Sequence, residues 1–403
     1  MTSEKIIVGE GTEYPLNGLL TLPDAPAEKL PGVVLVHGSG ASDMDERIYK
    51  LTPFRDLAEG LAARGIASVR YDKRTFAHAK KMLGQCVTAW EETIGDALRA
   101  AELLRRDPRV DPASVYLLGH SLGAMLAPRI DAEGGRFRGL ILMAGSPFRL
   151  EEIVVRQLRQ TGGRGGLMGA VVRLEDRIFS KKFDGLYEMP DAEAKKKKFA
   201  GSTTLYYFKE MGRKTAADYL LESDTPALLL QGGMDFQVLA AEDFARFREL
   251  LKDRGGVEYR LYDGLNHLFV KGLYNDILKA GKEYKVEQHI GGEVMDDIAA
   301  FIRHTRAAGG EQLGRIARYE ATLGGLEALL AAPERSAEAL AAFREKADAL
   351  EAYYTGPEWK RDFADDEAGL LPEGLKRGVL TEDGVWNALE EYRALLAAAE
   401  DGR

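Results

Sequence analysis

Gly119-His120-Ser121-Leu122-Gly123 follows the apolar run Val115-Tyr116-Leu117-Leu118 and precedes Ala124-Met125-Leu126-Ala127, a segment compatible with a helix. Strand, Gly-x-Ser-x-Gly, helix is the context in which a sharp turn presents a nucleophilic serine. Such a turn forces Ser121 into a strained backbone conformation and leaves little room for side chains two residues away. Glycine at 119 and 123 supplies that room. The serine oxygen then stands clear of the sheet at a helix N-terminus, where backbone N–H groups can stabilise an oxyanion. The pentapeptide alone recurs by chance as a plain turn, so the strand before and the helix after it decide the reading.

Outward from this turn, strands and helices alternate. Ile6-Ile7-Val8 and Leu16 to Leu22 read as strands, the second closed by Pro23-Asp24-Ala25-Pro26. Gly32-Val33-Val34-Leu35-Val36-His37 is nearly all apolar, as a parallel strand covered on both faces must be, and it runs into the loop His37-Gly38-Ser39-Gly40. Thr52-Pro53 opens a helix with Phe54, Leu57, Ala58 and Leu61 on one face, and Gly65 ends it before the strand Ile66 to Arg70. The capping box Thr88-x-x-Glu91 opens another, with Trp90, Ile94, Leu98, Ala101 and Leu104 at apolar positions. Beyond the elbow, strands are expected at Leu140 to Met143, Pro226 to Gln231 and Val257 to Tyr262, and helices at Ala240 to Lys252 and Val294 to Thr305. This alternation predicts a mostly parallel sheet with helices on both faces.

Two stretches depart from it. Residues 146–223 carry no strand pattern but contain Gly162-Gly163-Arg164-Gly165-Gly166, the basic run Lys195 to Lys198, and the aromatics Phe179, Phe183, Tyr187, Phe199, Tyr206, Tyr207 and Phe208. A mostly helical lid inserted over the active site is expected there. The glycine cluster lacks the ending of a phosphate loop and reads as a hinge. The lysines read as a solvated helix face. The aromatics read as lid core, with Tyr206 and Phe208 assigned to a substrate pocket. After Ala307-Ala308-Gly309-Gly310 the chain becomes helical throughout, rich in Ala, Leu and Glu, with breaks at Pro333 and Gly356-Pro357. The expected organisation is a catalytic domain over residues 1–306 and a small all-α domain over 311–403.

A seryl hydroxyl is a poor nucleophile until a base removes its proton and a third group orients the base. The loop after Leu228-Leu229-Leu230 offers Asp235, and the loop after Val257 to Tyr262 offers His267, one of only six histidines. Ser121, Asp235 and His267 thus follow one another in order, each at the carboxyl end of a strand. Asp263 competes for the acid role, though it reads as a turn residue; Asp72 is expected in a structural ion pair. In the loop at residues 37–40 the glycines let the backbone approach a substrate carbonyl. The oxyanion hole is therefore assigned to the N–H groups of Ser39 and Leu122, with Gly38 as the next choice. His37 is expected to hydrogen-bond the loop.

These residues resemble an α/β-hydrolase of the serine esterase branch, related to bacterial carboxylesterases and prolyl-oligopeptidase-like hydrolases. The matching stretches are His37-Gly38-Ser39-Gly40, Tyr71-Asp72-Lys73-Arg74-Thr75, the elbow with Ala127-Pro128-Arg129, Gln231-Gly232-Gly233-x-Asp235-x-Gln237-Val238, and Leu265-Asn266-His267-Leu268-Phe269. The resemblance implies Ser121 as nucleophile, His267 as base, Asp235 as orienter, and hydrolysis of carboxylic esters without a cofactor. Many relatives carry glycine where this chain has Ala124, a departure that leaves the chemistry intact. The tail, through Asp362 to Gly369, Leu371-Pro372 and Leu375-x-Arg377-Gly378-Val379-Leu380-x-Glu382-Asp383, is similar to a small bacterial helical domain of unknown function.

Composition narrows the alternatives. A hydrophobic fraction of 45% and a charged fraction of 30% are those of a globular protein, and a net charge of −9 argues against a nucleic-acid partner. Cys86 is the single cysteine, so no internal disulfide forms and a reducing compartment is expected. Met1-Thr2-Ser3-Glu4-Lys5 lacks a secretory pattern and no apolar run has membrane-spanning length, which together predict a cytoplasmic protein without membrane contact. No His-Glu-x-x-His and no cysteine pair is present, so no metal is expected. The expected substrate is a small-molecule ester; thioester or peptide cleavage with the same triad is the alternative, and a silent binding module the least favoured. Contact with a second copy or a partner is assigned to the helical tail.

Overall fold

Strands that alternate large apolar residues to both sides need cover on both sides, and that requirement organises the larger part of the chain. The computed structural model describes residues 1–24, 28–162, 180–200, 203–332, 335–367, 371 and 375–401. The main sheet comprises β1 (Thr2–Val8), β2 (Leu16–Leu22), β3 (Leu30–Val36), β4 (Ala67–Tyr71), β5 (Val110–His120), β6 (Leu140–Met143), β9 (Ala227–Gly232) and β10 (Val257–Tyr262). A separate small pair, β7 (Lys198–Ala200) and β8 (Thr203–Thr204), lies in the lid. The strand order is β1-β2-β4-β3-β5-β6-β9-β10. β1 and β2 pair antiparallel, as do β2 and β4, while every pair from β4 to β10 is parallel.

On β3, Val34 and Val36 face one apolar cluster and Val33 and Leu35 the other. The first cluster is closed by α2 (Gly95–Arg106, continued from a wider turn at Trp90–Ile94), α3 (Leu122–Ile130) and lid residues. The second is closed by α1 (Pro53–Ala62), through Phe54, Leu57 and Leu61, and by Val294, Ile298, Phe301 and Ile302. Every residue of β3 and β4 is buried, as the near-continuous apolar run of β3 requires. The fold is an α/β-hydrolase with a mostly parallel sheet. Among the described residues no helix is long and apolar enough to cross a membrane.

The lid contains α4 (Leu150–Gly162), α5 (Leu205–Met211) and α6 (Ala216–Leu221), and α7 (Ala245–Leu250) follows β9. It also holds the β7–β8 pair, which the sequence reading did not anticipate. Lys195 to Lys198 is not a helix face: the short helix Asp191–Ala194 ends before it and Lys198 opens β7. Lys197 pairs with Glu193. Most of the glycine cluster (Gly163 to Gly166) and Phe179 lie outside the described residues, as do Gly369, Pro372 and Pro333.

The chain divides into two compact units, Met1–Arg303 and His304–Arg403. The helix expected to stop near Thr305 is in fact α8 (Gly292–Ala331), which runs unbroken through Gly309-Gly310. The second unit also holds α9 (Ala337–Tyr354), α10 (Pro357–Glu367) and α11 (Glu382–Asp401), packed on Ile316, Leu326, Leu350, Trp359 and Leu389. Its buried Asp362 is neutralised by Arg315 and accepts from the Tyr353 hydroxyl.

Candidate active site

Ser121 has φ 53° and ψ −114°, a conformation that costs a non-glycine residue about 1–3 kcal/mol. Its N–H donates to the Met143 carbonyl at 2.8 Å, which ties the turn to the neighbouring strand. A β-carbon on Gly119 would stand 2.2 Å from the Gly123 carbonyl oxygen, and one on Gly123 would stand 2.2 Å from that of Val36. Both positions therefore exclude every other residue. Leu122 is the first residue of α3, so its N–H belongs to the first turn, whose donors have no acceptor within the helix.

The loop after β9 carries Asp235, whose Oδ1 accepts from the backbone N–H of Gln237 (2.8 Å) and Val238 (3.0 Å). Its Oδ2 accepts from Gln231 Nε2 at 3.1 Å and lies 2.8 Å from His267 Nδ1. A carboxylate so placed accepts the hydrogen bond of an Nδ1–H and leaves Nε2 as the basic nitrogen. The His267 loop is held by Asn266, which donates to the buried Glu283 at 2.6 Å and accepts from the Leu268 N–H at 3.0 Å. Glu283 also accepts from the N–H groups of Leu273 and Tyr274. Asp263 is exposed, and its backbone faces Gly233. Among the described residues Asp72 does not form the expected ion pair: it accepts from the Met44 N–H at 2.9 Å, and burial raises its carboxyl above the usual range. The ion pairs of that segment belong to Lys73, with Glu92, and Arg74, with Asp96.

His120, next to Ser121, links these loops. Its Nε2 donates to the His267 carbonyl at 2.9 Å and its ring packs on that of His267, centroids 4.8 Å apart. Its Nδ1 lies 3.0 Å from Glu46 Oε2. Burial opposes a charged imidazole, but the Glu46 carboxylate overrides it and holds the His120 pKa above its ordinary value. Burial likewise favours the neutral Glu46 carboxyl, and the imidazolium pulls its pKa below the usual range. His37 donates to the Asp43 carbonyl at 3.0 Å, and burial lowers its pKa to about 4, so it is neutral.

The oxyanion loop corrects one expectation. The Gly38 N–H donates to Glu46 Oε1 at 2.7 Å and is not free for a substrate oxygen. The Gly38 carbonyl accepts from Lys73 Nζ at 2.8 Å. Ser39 is exposed, and the α-carbon of Gly38 stands against Ser121, where a β-carbon on Gly38 would approach Ser121 Cβ to 3.2 Å. Sequence reasoning missed Glu46, Lys73 and His120 as parts of the site. Lys73 and His120 sit inside motifs already singled out, while Glu46, in an acidic loop, offers no local signal.

The lid corrects another. Phe208 is 4% exposed and packs against the rings of Phe199 (centroids 4.7 Å) and Phe183 (5.0 Å), inside the lid core rather than on a pocket wall. Tyr206 is half-buried, with Lys195 Nζ 4.5 Å from its ring centre. A recess does open between α3 and the lid, lined by Met125, Arg129, Phe148, Met211 and Tyr219, and Met125 lies one turn beyond Ser121. Phe208→Ala is therefore expected to destabilise the protein by about 3–5 kcal/mol and to slow all acyl chain lengths alike. Thermal unfolding and relative rates across an ester series measure this; a chain-length-selective effect at unchanged stability would restore Phe208 to the pocket.

Residues 33–271, more than half of the chain, match the family described as the alpha/beta hydrolase family, and the chain belongs to it. Residues 316–400 match a domain of unknown function, DUF4298. The chain is 34% identical over 289 residues to esterase EstD of Thermotoga maritima, a match covering 71% of this chain and 65% of that one. Among solved structures, Est1E from Butyrivibrio proteoclasticus is similar at 15% identity and a TM-score of 0.47, over 75% of this chain and 99% of that one. The Pyrococcus furiosus esterase Pf2001 is similar at 15% identity and a TM-score of 0.47, over 76% and 91%.

Proposed function

We propose that the protein hydrolyses carboxylic esters through an acyl-enzyme formed on Ser121. The observation that carries this reading is the 2.8 Å contact of Asp235 with His267 Nδ1, on a ring packed beside the strained Ser121 turn. His267 Nε2 takes the seryl proton as Oγ attacks the ester carbonyl. The N–H groups of Ser39 and Leu122 receive the developing oxyanion. The imidazolium then protonates the leaving alkoxide, and a water activated by the same nitrogen releases the acid and regenerates Ser121. Asp235 keeps the imidazole in one tautomer throughout. The similarity to an enzyme named as an esterase supports the bond type, over the 65% of that relative's length that this chain spans.

The substrate is read as a small-molecule ester, met in the cytoplasm without a nucleic-acid, membrane or cofactor requirement. A panel of p-nitrophenyl esters, acyl thioesters and aminoacyl amides tests this. Higher kcat/KM on the esters supports the reading, and preference for thioesters or amides replaces it with the corresponding activity.

The catalytic assignment extends to a division of labour, with residues 1–306 as the hydrolase and the helical tail as a separate domain that contacts partners or a second copy. Every residue in the proposed machinery precedes His304, where the second unit begins. A chain ending at residue 308 is expected to fold and to hydrolyse p-nitrophenyl acetate within a few-fold of the full chain. Activity and sedimentation of the truncated protein check it; a folded, inactive truncation would show that the tail takes part in catalysis.

A further inference from the structure

Lys73 is a buried cation with an unusual placement. It follows β4, is 2% exposed, pairs with Glu92 Oε1 at 2.7 Å, and donates to the Gly38 carbonyl at 2.8 Å. A buried ammonium is costly unless it is paired and its remaining protons are satisfied, so an ordinary structural ion pair would explain Glu92. It would not explain why the second acceptor is the carbonyl of Gly38. That carbonyl belongs to the peptide whose N–H is that of Ser39, the expected oxyanion donor.

We propose that Lys73 is a positioning residue of the oxyanion hole, fixing the Gly38–Ser39 peptide plane so that the Ser39 N–H is presented to the reacting carbonyl. Among the described residues no peptide bond is cis, and in a trans peptide the C=O and N–H point in opposite directions. An ammonium that anchors the carbonyl therefore aims the Ser39 N–H away from Lys73, on a stretch of backbone that abuts Ser121. The preceding peptide is held independently, because the Gly38 N–H is tied to Glu46. With one peptide anchored by a carboxylate and the next by an ammonium, the loop keeps its orientation without a substrate. A hydrogen bond from a cation also polarises the peptide, which strengthens the N–H as a donor where charge develops in the transition state. The same carbonyl could in principle be satisfied by water, but a rotating peptide would then have to be reorganised at each turnover.

This inference rests on the acyl-enzyme reading, and the experiment separates the two. In the full chain, Lys73→Met keeps the apolar stem and removes the cation. The expected result with p-nitrophenyl acetate is a kcat lowered about 10- to 100-fold with KM changed less than about threefold, since losing an oxyanion donor outright costs about 10²–10³. A trifluoromethyl ketone, whose adduct places an oxyanion in the hole, is expected to lose affinity by the factor that kcat/KM loses. Glu92→Gln breaks the ion pair but spares the Gly38 contact, so its kcat is expected within a few-fold of wild type even if its melting temperature falls. Where Lys73→Met leaves Glu92 too poorly paired to fold, the double variant Lys73→Met/Glu92→Leu carries the same measurements. Unchanged kcat and ketone affinity in the folded variant would overturn the proposal, as would an equal kcat loss in Glu92→Gln. An inactive wild type that an organophosphonate does not label at Ser121 would instead overturn the acyl-enzyme reading itself.

Discussion

Ser121→Ala is expected to lower p-nitrophenyl ester hydrolysis by on the order of 10³- to 10⁶-fold while leaving the melting temperature nearly unchanged. The rate falls because no other group can form the acyl-enzyme. Activity above the uncatalysed reaction would come only from binding and the oxyanion donors, through direct attack of water. The fold is expected to survive because alanine, like serine, carries an unbranched β-carbon, so the φ of 53° at position 121 asks no more of it, and Gly119 and Gly123 still provide the clearance. The backbone bond from residue 121 to the Met143 carbonyl is also retained. Labelling by an organophosphonate separates loss of the nucleophile from loss of structure, since it should modify the wild type at Ser121 and leave the variant unmodified. A variant that kept most of its activity would remove Ser121 from the mechanism.

What made this site legible is local sterics. The elbow needs two glycines and a strand-to-helix change within a few residues, and each leaves a mark on the sequence. The strands at Leu16–Leu22, Leu140–Met143 and Val257–Tyr262 have the bounds that apolar runs and turn residues predict. β5 starts earlier than its apolar run, at Val110, because Leu30 pairs with Val110 across a register shift. Helix α8 ignores Gly309-Gly310 for a different reason. Each glycine costs about 1 kcal/mol relative to alanine inside a helix, and neither a cap nor a proline accompanies the pair to turn that cost into a stop.

Less legible was anything that depends on which residues meet across long sequence separations. Lys73 to Gly38 spans 35 residues, and no periodicity marks a lysine that will be buried beneath a loop. Tyr206, Tyr207 and Phe208 are consecutive aromatics on a short helix; Tyr207 and Phe208 enter the core and Tyr206 stays half-buried, and packing against Phe183 and Phe199, not the pattern of the triplet, decides the place of Phe208. The order Ser121, Asp235, His267 could be read from placement at strand ends. The supports beneath them, Gln231 under the acid and Glu283 under the histidine loop, required the fold.

Asp235→Asn is the other change with a large expected effect, about 10⁴-fold in kcat with folding preserved, and the hydrogen bonds of Asp235 dictate why. Oδ1 accepts from two backbone N–H groups, those of Gln237 and Val238. In an asparagine the carbonyl oxygen must keep that place, because an amide NH2 there would face two donors. The NH2 is thereby forced into the position of Oδ2, which lies 2.8 Å from His267 Nδ1 and 3.1 Å from Gln231 Nε2. Gln231 has other acceptors for its amide, the carbonyls of Gly232 and Val238. His267 can meet an NH2 only by presenting a bare Nδ1, which moves its proton to Nε2. The nitrogen that has to accept the seryl proton then already carries one, and the side chain that stabilised the imidazolium is neutral. Loss should therefore fall on kcat, with KM little changed and the melting temperature within a few degrees of wild type. Asp263→Asn, at an exposed turn, is expected to leave the rate near that of the wild type. Kinetics of the two variants side by side decide the matter: if the change at 263 proved the more damaging, Asp263 and not Asp235 would be the acid of the triad.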